Sequence, residues 1–292
     1  MTKGPMQRYQ SLIASGALKP DDRQLAAMQK LQNLEQALVG YAPEKKSFFV
    51  KAQKRPRGLY LWGGVGRGKS LLMDMFFNNS SVAKKQRIHF HEFIIGVHTK
   101  KTAWGKLDSA ARRAHPFFVR DADEHDPIPP IAKEIFSTAH LLCFDEFQVS
   151  DIANAMLLMH LFKALIERGC VIVATSNRMP DELYKDGLNR ELFLPAIASI
   201  KQSMDIFHLD SPRDFRRDQL VSAPVYYSPL GDAARTAMDS AWQRLICGGA
   251  EVAMKFNVKG RQVVIPRTAR GIGRVSFDQL CGVALGAEDY LA

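Results

Sequence analysis

Eight consecutive residues constrain the fold more than any other segment: Gly63, Gly64, Val65, Gly66, Arg67, Gly68, Lys69 and Ser70. They fit the pattern G-x-x-x-x-G-K-[ST], in which backbone N–H groups of a glycine-rich loop surround a phosphate at the start of a helix. The preceding segment Leu59–Trp62 is apolar, like a buried strand, and the segment from Ser70 to Asn78 has helical spacing. The sequence therefore predicts a strand, a phosphate-binding loop and a helix, rather than a simple glycine-rich turn.

Two side chains of this loop indicate which ligand it takes. A lysine at this position reaches the β- and γ-phosphates of a nucleotide, and the next hydroxyl ligates Mg²⁺. We therefore expect ATP and Mg²⁺ as cofactors, with Ser70 as one metal ligand. The predicted ATP-binding residues are Gly63, Gly64, Val65, Gly66, Arg67, Gly68, Lys69, Ser70 and Leu71.

Two adjacent carboxylates end a second apolar run, Leu141–Phe144. We expect Asp145 to hold Mg²⁺, directly or through water, and Glu146 to polarise a water for attack on the γ-phosphate. A kinase does not need such a glutamate because its substrate supplies the hydroxyl, so the pair favours hydrolysis. The alternative, a strand that ends in two solvated acids, loses weight beside a phosphate loop.

A third apolar run, Cys170–Ser176, ends in small polar residues and is followed by Asn177. Asn177 is predicted to sense the γ-phosphate or to orient the attacking water. A lone asparagine is more often a turn residue, but the strand–helix–strand spacing after Glu146 favours the sensor role.

Strands and helices alternate through the centre of the chain, which predicts an α/β fold with a parallel five-stranded sheet sandwiched by helices. The predicted strands are 59–62, 87–93, 141–147, 170–176 and 205–209, and the predicted helices lie near 70–78, 92–101, 131–138, 152–168 and 196–201. The stretch Asp126–Pro130 is predicted to be a loop.

Three parts are expected along the chain. Residues 1–57 form an N-terminal helical segment, with a D-x-x-Q capping box at Asp21 and Gln24, and a basic linker ending at Arg57. Residues 58–220 form the ATPase core. Residues 221–292 form an accessory region with a helix and a β-hairpin turning at Lys259-Gly260, and a third strand is predicted at Arg274–Phe277.

Bulk composition limits the class of protein but does not choose a partner. The chain has 292 residues, no apolar run long enough to span a bilayer and no apolar signal core after Met1. A cytosol-like compartment is therefore expected, with reduced, buried thiols at Cys143, Cys170, Cys247 and Cys281. The net charge of +10 permits an acidic partner of any kind.

Four blocks carry a resemblance to a known family, and they read GLYLWGGVGRGKS, HFHEF, LCFDEFQVSD and LNRELFLPAI, starting at residues 58, 89, 142 and 188. The phosphate loop, the acidic strand end and the polar strand tip together resemble an AAA+ ATPase. The four blocks are similar to the ZapE family of bacterial cell-division ATPases, which is related to the mitochondrial Lace-type ATPases. The resemblance runs from about Tyr9 to Ala292 and implies the AAA+ P-loop fold.

This resemblance implies an Mg²⁺-dependent ATPase that acts as a homo-oligomer with nucleotide at subunit junctions. Arg190 matches the arginine that reaches a neighbouring subunit's γ-phosphate, so the predicted catalytic residues are Glu146, Asn177 and Arg190. Arg178 is the rival candidate, and a surface salt bridge is the alternative for either arginine. Family members continue beyond the equivalent of Ala292 into a helical lid with a second sensor arginine, so we expect this chain to stop before the lid; Arg270 or Arg274 is a minor candidate substitute.

The implied function is ATP hydrolysis coupled to remodelling of a protein partner, FtsZ or another division protein at the Z-ring. A cytoplasmic location, recruitment to the division site and peripheral membrane association through protein partners go with it. Nucleic acid is not expected as a partner, although a helicase-loader-like ATPase acting on nucleic acid stays open. A nucleotide-dependent adaptor is a third alternative, against which the intact Glu146 argues.

Two further features have a functional and a packing interpretation. His89 and His91 are expected on one face of a strand, where they suit a metal or, preferably, packing. Trp104 is expected after a helix, where it either lines an oligomer pore or packs in the core.

Overall fold

The computed structural model describes residues 4–43, 54–149, 152–185, 187–211, 226–246, 250–258, 260–269 and 272–291. The chain divides into two compact units, Met1–Asp218 and Gln219–Ala292. The first contains the N-terminal helices and a parallel sheet, and the second contains a helix and a small antiparallel sheet. Within the described ranges, no helix is both long and apolar enough to cross a membrane.

A parallel five-stranded sheet forms the centre of the first unit. Its strands are β1 (Gly58–Trp62), β2 (Lys85–His89), β3 (Leu141–Asp145), β4 (Val171–Ser176) and β5 (Met204–His208). They lie in the order β2-β3-β4-β1-β5, and β3 and β4 are buried along their whole length. The carboxyl ends of β3, β4 and β1 are therefore neighbours at one edge of the sheet, and the predicted α/β class is confirmed.

Helices cover both faces of this sheet, which is why its three central strands, β1, β3 and β4, are largely apolar and buried. They are α1 (Pro5–Ala14), α2 (Asp22–Leu38), α3 (Lys69–Asn79), α4 (Phe90–Gly105), α5 (Ser109–Ala114), α6 (Ile128–Thr138), α7 (Ile152–Glu167) and α8 (Leu194–Ser203). Leu59 and Leu61 pack in the core with α1, α2 and α3, whereas Tyr60 between them packs in the core with α4, α6, α7 and α8. This alternation follows from the opposite directions of successive strand side chains.

The boundary between β2 and α4 differs from its prediction. A strand was expected to run to Phe93, but α4 begins at Phe90. Phe90 is buried and packs against Phe144 and Phe147 from the first turn of the helix. An apolar residue is equally suitable at the end of a strand and in the buried first turn of a helix. The hydrophobic pattern therefore did not show that β2 ends before Phe90, where α4 begins.

The start of α6 also differs from its prediction. The helix begins at Ile128, within the stretch Asp126–Pro130 that was predicted to be a loop. Pro129 and Pro130 occupy the first turn, where a missing N–H costs no intrahelical hydrogen bond. Only the residues before Ile128 therefore form the loop.

The end of the basic linker caps a helix. Residues 44–53 lie outside the described residues, but Arg57 is described. Its guanidinium donates to the backbone oxygens of Lys201, Gln202 and Met204 at 3.0, 2.7 and 2.8 Å, and it pairs with Asp205 at 2.7 Å. Arg57 thus satisfies carbonyls at the carboxyl end of α8, where a cation is also favoured by the helix dipole.

The second unit contains α9 (Asp232–Ile246), β6 (Val252–Val258), β7 (Arg261–Ala269), β8 (Ile272–Arg274), α10 (Phe277–Cys281) and α11 (Ala287–Leu291). β6, β7 and β8 form an antiparallel sheet, as the hairpin signal predicted, but β8 ends where a strand was expected to start. Trp242, Ile246 and Ala269 form a small core. Glu251 accepts a hydrogen bond from Trp242 Nε1 at 3.0 Å and pairs with Arg267 at 2.6 Å.

The cysteines agree with their prediction only in part. Cys143 and Cys170 are buried, and burial raises the pKa of the Cys170 thiol to about 12. Cys281 is exposed, contrary to the expectation, and Cys247 lies outside the described residues.

Candidate nucleotide site

The predicted phosphate loop connects β1 to α3 and contains two glycines in the left-handed region. Gly66 has φ 78° and Gly68 has φ 89°, and residues with a Cβ rarely adopt this conformation. Gly63 is constrained by space, because a Cβ built on it would lie 2.4 Å from the backbone oxygen of Leu209. Glycine at these positions lets the loop turn tightly before the N-terminus of α3.

Lys69 is the first residue of α3, and its side chain turns back into the loop. The residue is buried, and its ammonium donates to the backbone oxygens of Gly63 and Gly64, both at 2.8 Å. It also donates to Asn177 Oδ1 at 2.9 Å. The structure therefore brings together two residues that the sequence separates by more than a hundred positions.

Asp145 collects hydrogen bonds from two hydroxyl groups at the end of β3. Ser70 Oγ donates to Asp145 Oδ1 at 2.8 Å, and Thr175 Oγ1 donates to the same oxygen at 2.5 Å. Asp145 is only 4% exposed, so its carboxylate is held mainly by these partners rather than by water. Ser70 and Asp145, the two predicted metal ligands, are thus in direct contact.

Glu146 follows Asp145 in a left-handed conformation, with φ 56°. Its backbone N–H donates to Thr175 Oγ1 at 3.2 Å, and its residue is exposed. A non-glycine residue in this region is uncommon and stores backbone strain. The backbone thus leaves the extended conformation directly after Asp145, and Glu146 is accessible to solvent.

The two candidate arginines lie outside this hydrogen-bonded cluster. Arg190 starts a short 3₁₀ turn, Arg190–Phe193, and its guanidinium donates to the backbone oxygen of Asp181. Arg178 follows Asn177 and is exposed, and its backbone oxygen accepts a hydrogen bond from Tyr60 at 3.0 Å. Neither side chain has a described contact with Lys69.

Sequence reasoning missed three side chains that touch the site. Thr175 was not given a role, although it binds Asp145. Gln24 was expected to complete a capping box with Asp21. Asp21 does accept from the Gln24 N–H at 2.8 Å, but the buried Gln24 amide donates instead to the backbone oxygen of Arg67 in the phosphate loop at 3.0 Å.

Arg87 is the third missed residue. It lies on β2, donates from Nη2 to Asp145 Oδ2 at 2.9 Å and forms an ion pair with Asp74 through Nε. Burial raises the pKa of Asp74, and the nearby Arg87 cation opposes that shift. A lone arginine on a strand carries no local signal, since Asp74 and Asp145 lie on other elements.

The remaining candidates are not part of the cluster. His89 ends β2 while His91 lies in α4, so the prediction that they share a strand face is wrong. Among the described residues, no three or more His, Cys, Asp or Glu side chains come together in a way that could hold a metal ion. Trp104 lies within α4, is buried and donates to the backbone oxygen of Glu124 at 3.1 Å, which supports packing rather than a pore role. Arg274 pairs with Asp239 at 2.6 Å, and Arg270 lies outside the described residues.

The donor set fits a nucleotide phosphate and Mg²⁺. Mg²⁺ prefers carboxylate and hydroxyl oxygens, and Asp145 and Ser70 present one of each at the N-terminus of α3. Three acceptors of Lys69 are neutral oxygens, and an anionic phosphate is a stronger partner for an ammonium than these are. Lys69, Ser70 and Asp145 would hold the two groups.

Comparison with known proteins gives consistent relatives. Cell division protein ZapE of Escherichia coli (strain K12) is 37% identical over 302 residues, covering 99% of this chain and 76% of that protein. Lactation elevated protein 1 homolog B of Danio rerio is 34% identical, covering 97% of this chain and 64% of that protein. Among solved structures, AMPPCP-bound DnaA from Aquifex aeolicus has 13% identity and a TM-score of 0.39, and covers 77% of this chain and 61% of that one. Values this low carry no argument about function.

A family model described as AFG1-like ATPase matches residues 3–292, which is nearly the whole chain. The resemblance to ZapE, drawn from the four sequence blocks, is confirmed by the match to the E. coli protein. The chain therefore belongs to the AFG1-like ATPase family and is an ATPase.

Proposed function

We propose that this chain hydrolyses ATP at residues 63–71 with Glu146, Asn177 and Arg190 as its catalytic residues, and that hydrolysis remodels a protein partner. The observation that carries the first part is a pair of hydrogen bonds from consecutive residues of α3: Lys69 donates to Asn177 at the tip of β4, and Ser70 donates to Asp145 at the end of β3. Residues 58–220 form the catalytic part of the chain in this proposal, residues 1–57 support the loop, and residues 221–292 are accessory.

Each side chain has a defined task in the proposed reaction. The loop N–H groups and Lys69 bind the phosphates, and Ser70 and Asp145 hold Mg²⁺, which when bound neutralises phosphate charge. Glu146 accepts a proton from a water as the water oxygen attacks the γ-phosphorus, and the bond to the β,γ-bridging oxygen breaks to leave ADP and phosphate. Asn177 donates or accepts at the attacking water or the γ-phosphate and so fixes the geometry.

Arg190 acts in trans in this proposal. The support is the match of Arg190 to the family arginine within the sequence block LNRELFLPAI, which starts at Leu188. A planar cation supplied by a neighbour stabilises charge on the transferring phosphoryl group, and the arginine that a GTPase-activating protein inserts into Ras contributes up to about 10⁵-fold in this way. The active form is therefore proposed to be a homo-oligomer with nucleotide at its junctions.

The proposed partner is FtsZ or another division protein, met in the cytoplasm at the division site, where protein partners also provide peripheral membrane association. The support is the similarity to a relative named cell division protein ZapE over 99% of this chain. We prefer this partner to nucleic acid, because only the positive net charge favours nucleic acid, and net charge alone does not select a class of partner.

The test measures ATP turnover per subunit against chain concentration, with and without purified FtsZ, and pelleting of FtsZ polymers in the same samples. We expect turnover per subunit to rise with concentration, and the amount of pelleted FtsZ to change only when ATP is hydrolysed. Glu146→Gln, which should bind ATP without turning it over, is the matched control.

Three results would contradict parts of the proposal. Turnover per subunit that does not depend on chain concentration would contradict active sites shared between subunits. Equal amounts of pelleted FtsZ with the active chain and with Glu146→Gln would contradict ATP-driven remodelling of FtsZ. Binding to generic single-stranded DNA that weakens log-linearly with salt would instead favour the helicase-loader alternative.

A further inference from the structure

Arg87 bridges two carboxylates that belong to different elements. Its Nη2 lies 2.9 Å from Asp145 Oδ2, and its Nε pairs with Asp74 on α3. The Arg87 side chain is 26% exposed, compared with 5% for Asp145 and 42% for Asp74. The bridge therefore runs from a solvent-accessible carboxylate to a buried one.

These contacts close a ring that passes through the candidate metal site. Ser70 and Asp74 are four residues apart on α3 and so share a helix face. Ser70 contacts Asp145 directly, whereas Asp74 reaches Asp145 through Arg87. The ring joins α3, β3 and β2, and its links are one turn of α3, the Ser70–Asp145 hydrogen bond and the two ion pairs of Arg87.

The two oxygens of Asp145 have separate partners. Oδ1 accepts from Ser70 and Thr175, and Oδ2 accepts from Arg87. Donors on both oxygens fix the plane of a carboxylate, and a guanidinium imposes that plane more strictly than an ammonium does. Without Arg87, the plane of Asp145 loses its restraint on one side.

We propose that Arg87 is a positioning residue that holds the Asp145 carboxylate in the plane in which Oδ1 faces Ser70, the residue that would hold the metal together with Asp145. Asp74 fixes Arg87 in turn. This inference rests on the proposed function, because it takes Ser70 and Asp145 as the metal-binding pair.

Charge and position predict opposite effects on metal affinity when Arg87 is removed. If Arg87 acted through its charge alone, its loss would make the site more negative and would tighten cation binding. If it positions Asp145, its loss weakens metal binding despite the more negative site. The sign of the change in metal affinity therefore separates the two roles.

The experiment compares Arg87→Gln, Arg87→Lys and Asp74→Asn with wild type in the full chain. Mn²⁺ affinity in the presence of ADP is measured by electron paramagnetic resonance, ADP affinity is measured in EDTA, and kcat is measured with Mg²⁺. Arg113→Gln is the matched control, since Arg113 forms an exposed ion pair with Glu124 elsewhere in the first unit.

We expect Arg87→Gln to weaken Mn²⁺ binding about tenfold and to lower kcat by a similar factor, with ADP affinity in EDTA changed by less than about twofold. Arg87→Lys and Asp74→Asn should each give a smaller loss of the same sign, because each keeps a cation beside Asp145 but loses the full bridge. Arg113→Gln should match wild type.

Unchanged or tighter Mn²⁺ binding with normal kcat in folded Arg87→Gln would overturn the proposal. Thermal unfolding identifies the folded variants, and if Arg87→Gln does not fold, the sign of the Arg87→Lys and Asp74→Asn effects decides in the same way. Lys69→Ala and Asp145→Asn are run in parallel. Normal activity in those two would refute the site assignment itself, whereas their loss with normal Arg87 variants would refute only the role of Arg87.

Discussion

The Lys69 ammonium and the side-chain oxygen of Asn177 lie 2.9 Å apart and join the phosphate loop to the tip of β4. Both side chains are therefore within reach of the same phosphate. Because an anionic phosphate is a stronger acceptor than an amide oxygen, we expect Lys69 to exchange this partner when a triphosphate binds. Asn177 would then be released for its proposed sensor role.

Two substitutions of Asn177 should distinguish its effect on kcat from its effect on ATP affinity. Asn177→Ala should lower kcat about 10- to 100-fold while ATP affinity changes little, since Lys69 keeps its two backbone partners. Asn177→Asp should also weaken ATP binding, because a carboxylate forms an ion pair with Lys69 that competes with phosphate. Calorimetric titration with ATP checks this order, and equal ATP affinity for both variants would contradict it.

Glu146 should be needed for activity but unfavourable for stability. Glu146→Gln should bind ATP and lose at least about 100-fold in hydrolysis. Glu146→Asn should also be inactive yet gain roughly 1 kcal/mol in the free energy of unfolding, because asparagine tolerates the left-handed conformation at φ 56°. Urea unfolding measures the gain, with Gln148→Asn, an exposed position two residues on, as the control. A less stable Glu146→Asn would mean that the carboxylate makes a stabilising contact.

Mixing two inactive variants tests whether Arg190 acts across a junction. Arg190→Ala subunits keep Glu146, and Glu146→Gln subunits keep Arg190, so a junction of the right polarity rebuilds one complete site. Random assembly through heterologous interfaces should restore up to about a quarter of wild-type turnover. Arg178→Ala is the control and should remain active alone. No recovery on mixing would contradict action in trans, and full activity of Arg190→Ala alone would contradict any catalytic role of this arginine.

Gln24 should affect the phosphate loop from a distance in sequence. Gln24→Met keeps the volume but loses the hydrogen bond to the Arg67 carbonyl, so we expect weaker ATP binding with a small change in stability. Gln24→Glu places a buried carboxylate beside that carbonyl and should cost about 1–3 kcal/mol in the free energy of unfolding. Fluorescent-nucleotide titration and urea unfolding measure the two effects. Equal stability for both variants would show that the side chain reaches water.

The second unit should lose stability in acid through Glu251. Hydrogen bonds from Arg267 and then Trp242 lower the pKa of Glu251 from 4.5 to about 2. The group therefore contributes stability that is fully present above about pH 4.5 and is lost as the pH falls toward 2. Emission of Trp242, in a Trp62→Phe, Trp104→Phe background, should report this loss, and Glu251→Gln should remove the pH dependence. A transition unchanged by Glu251→Gln would assign acid sensitivity to other groups.

The parallel sheet was predictable because its central strands β1, β3 and β4 are short and largely apolar and are separated by segments with helical spacing. The cluster around Lys69 followed from the same pattern, since the carboxyl ends of parallel strands meet at one edge. The limits of β2 were not predictable from Phe90, because its burial serves a helix turn as well as it serves a strand.

Long-range polar contacts were beyond the sequence for a different reason. Arg87 meets Asp74 and Asp145 only after α3, β2 and β3 have packed, so no local spacing records the pair. Gln24 was predicted only as the second residue of a capping box, because its spacing from Asp21 can be read from the sequence. Its contact with the Arg67 carbonyl forms only in the folded chain. Residues that act by local spacing were found, and residues that act through tertiary packing were missed.

Gly63 and Gly64 are adjacent, but we expect glycine to be needed at the two positions for different reasons, folding at the first and ATP binding at the second. A methyl group on Gly63 would collide with the Leu209 carbonyl, whereas one on Gly64 would meet only the flexible Arg67 side chain, 3.3 Å away. A library randomised at both positions and screened for folding alone should keep glycine at the first and admit small residues at the second. Only a screen for ATP binding should then restrict the residues accepted at position 64. Gly63 would thus be required for folding, and Gly64 for binding the nucleotide.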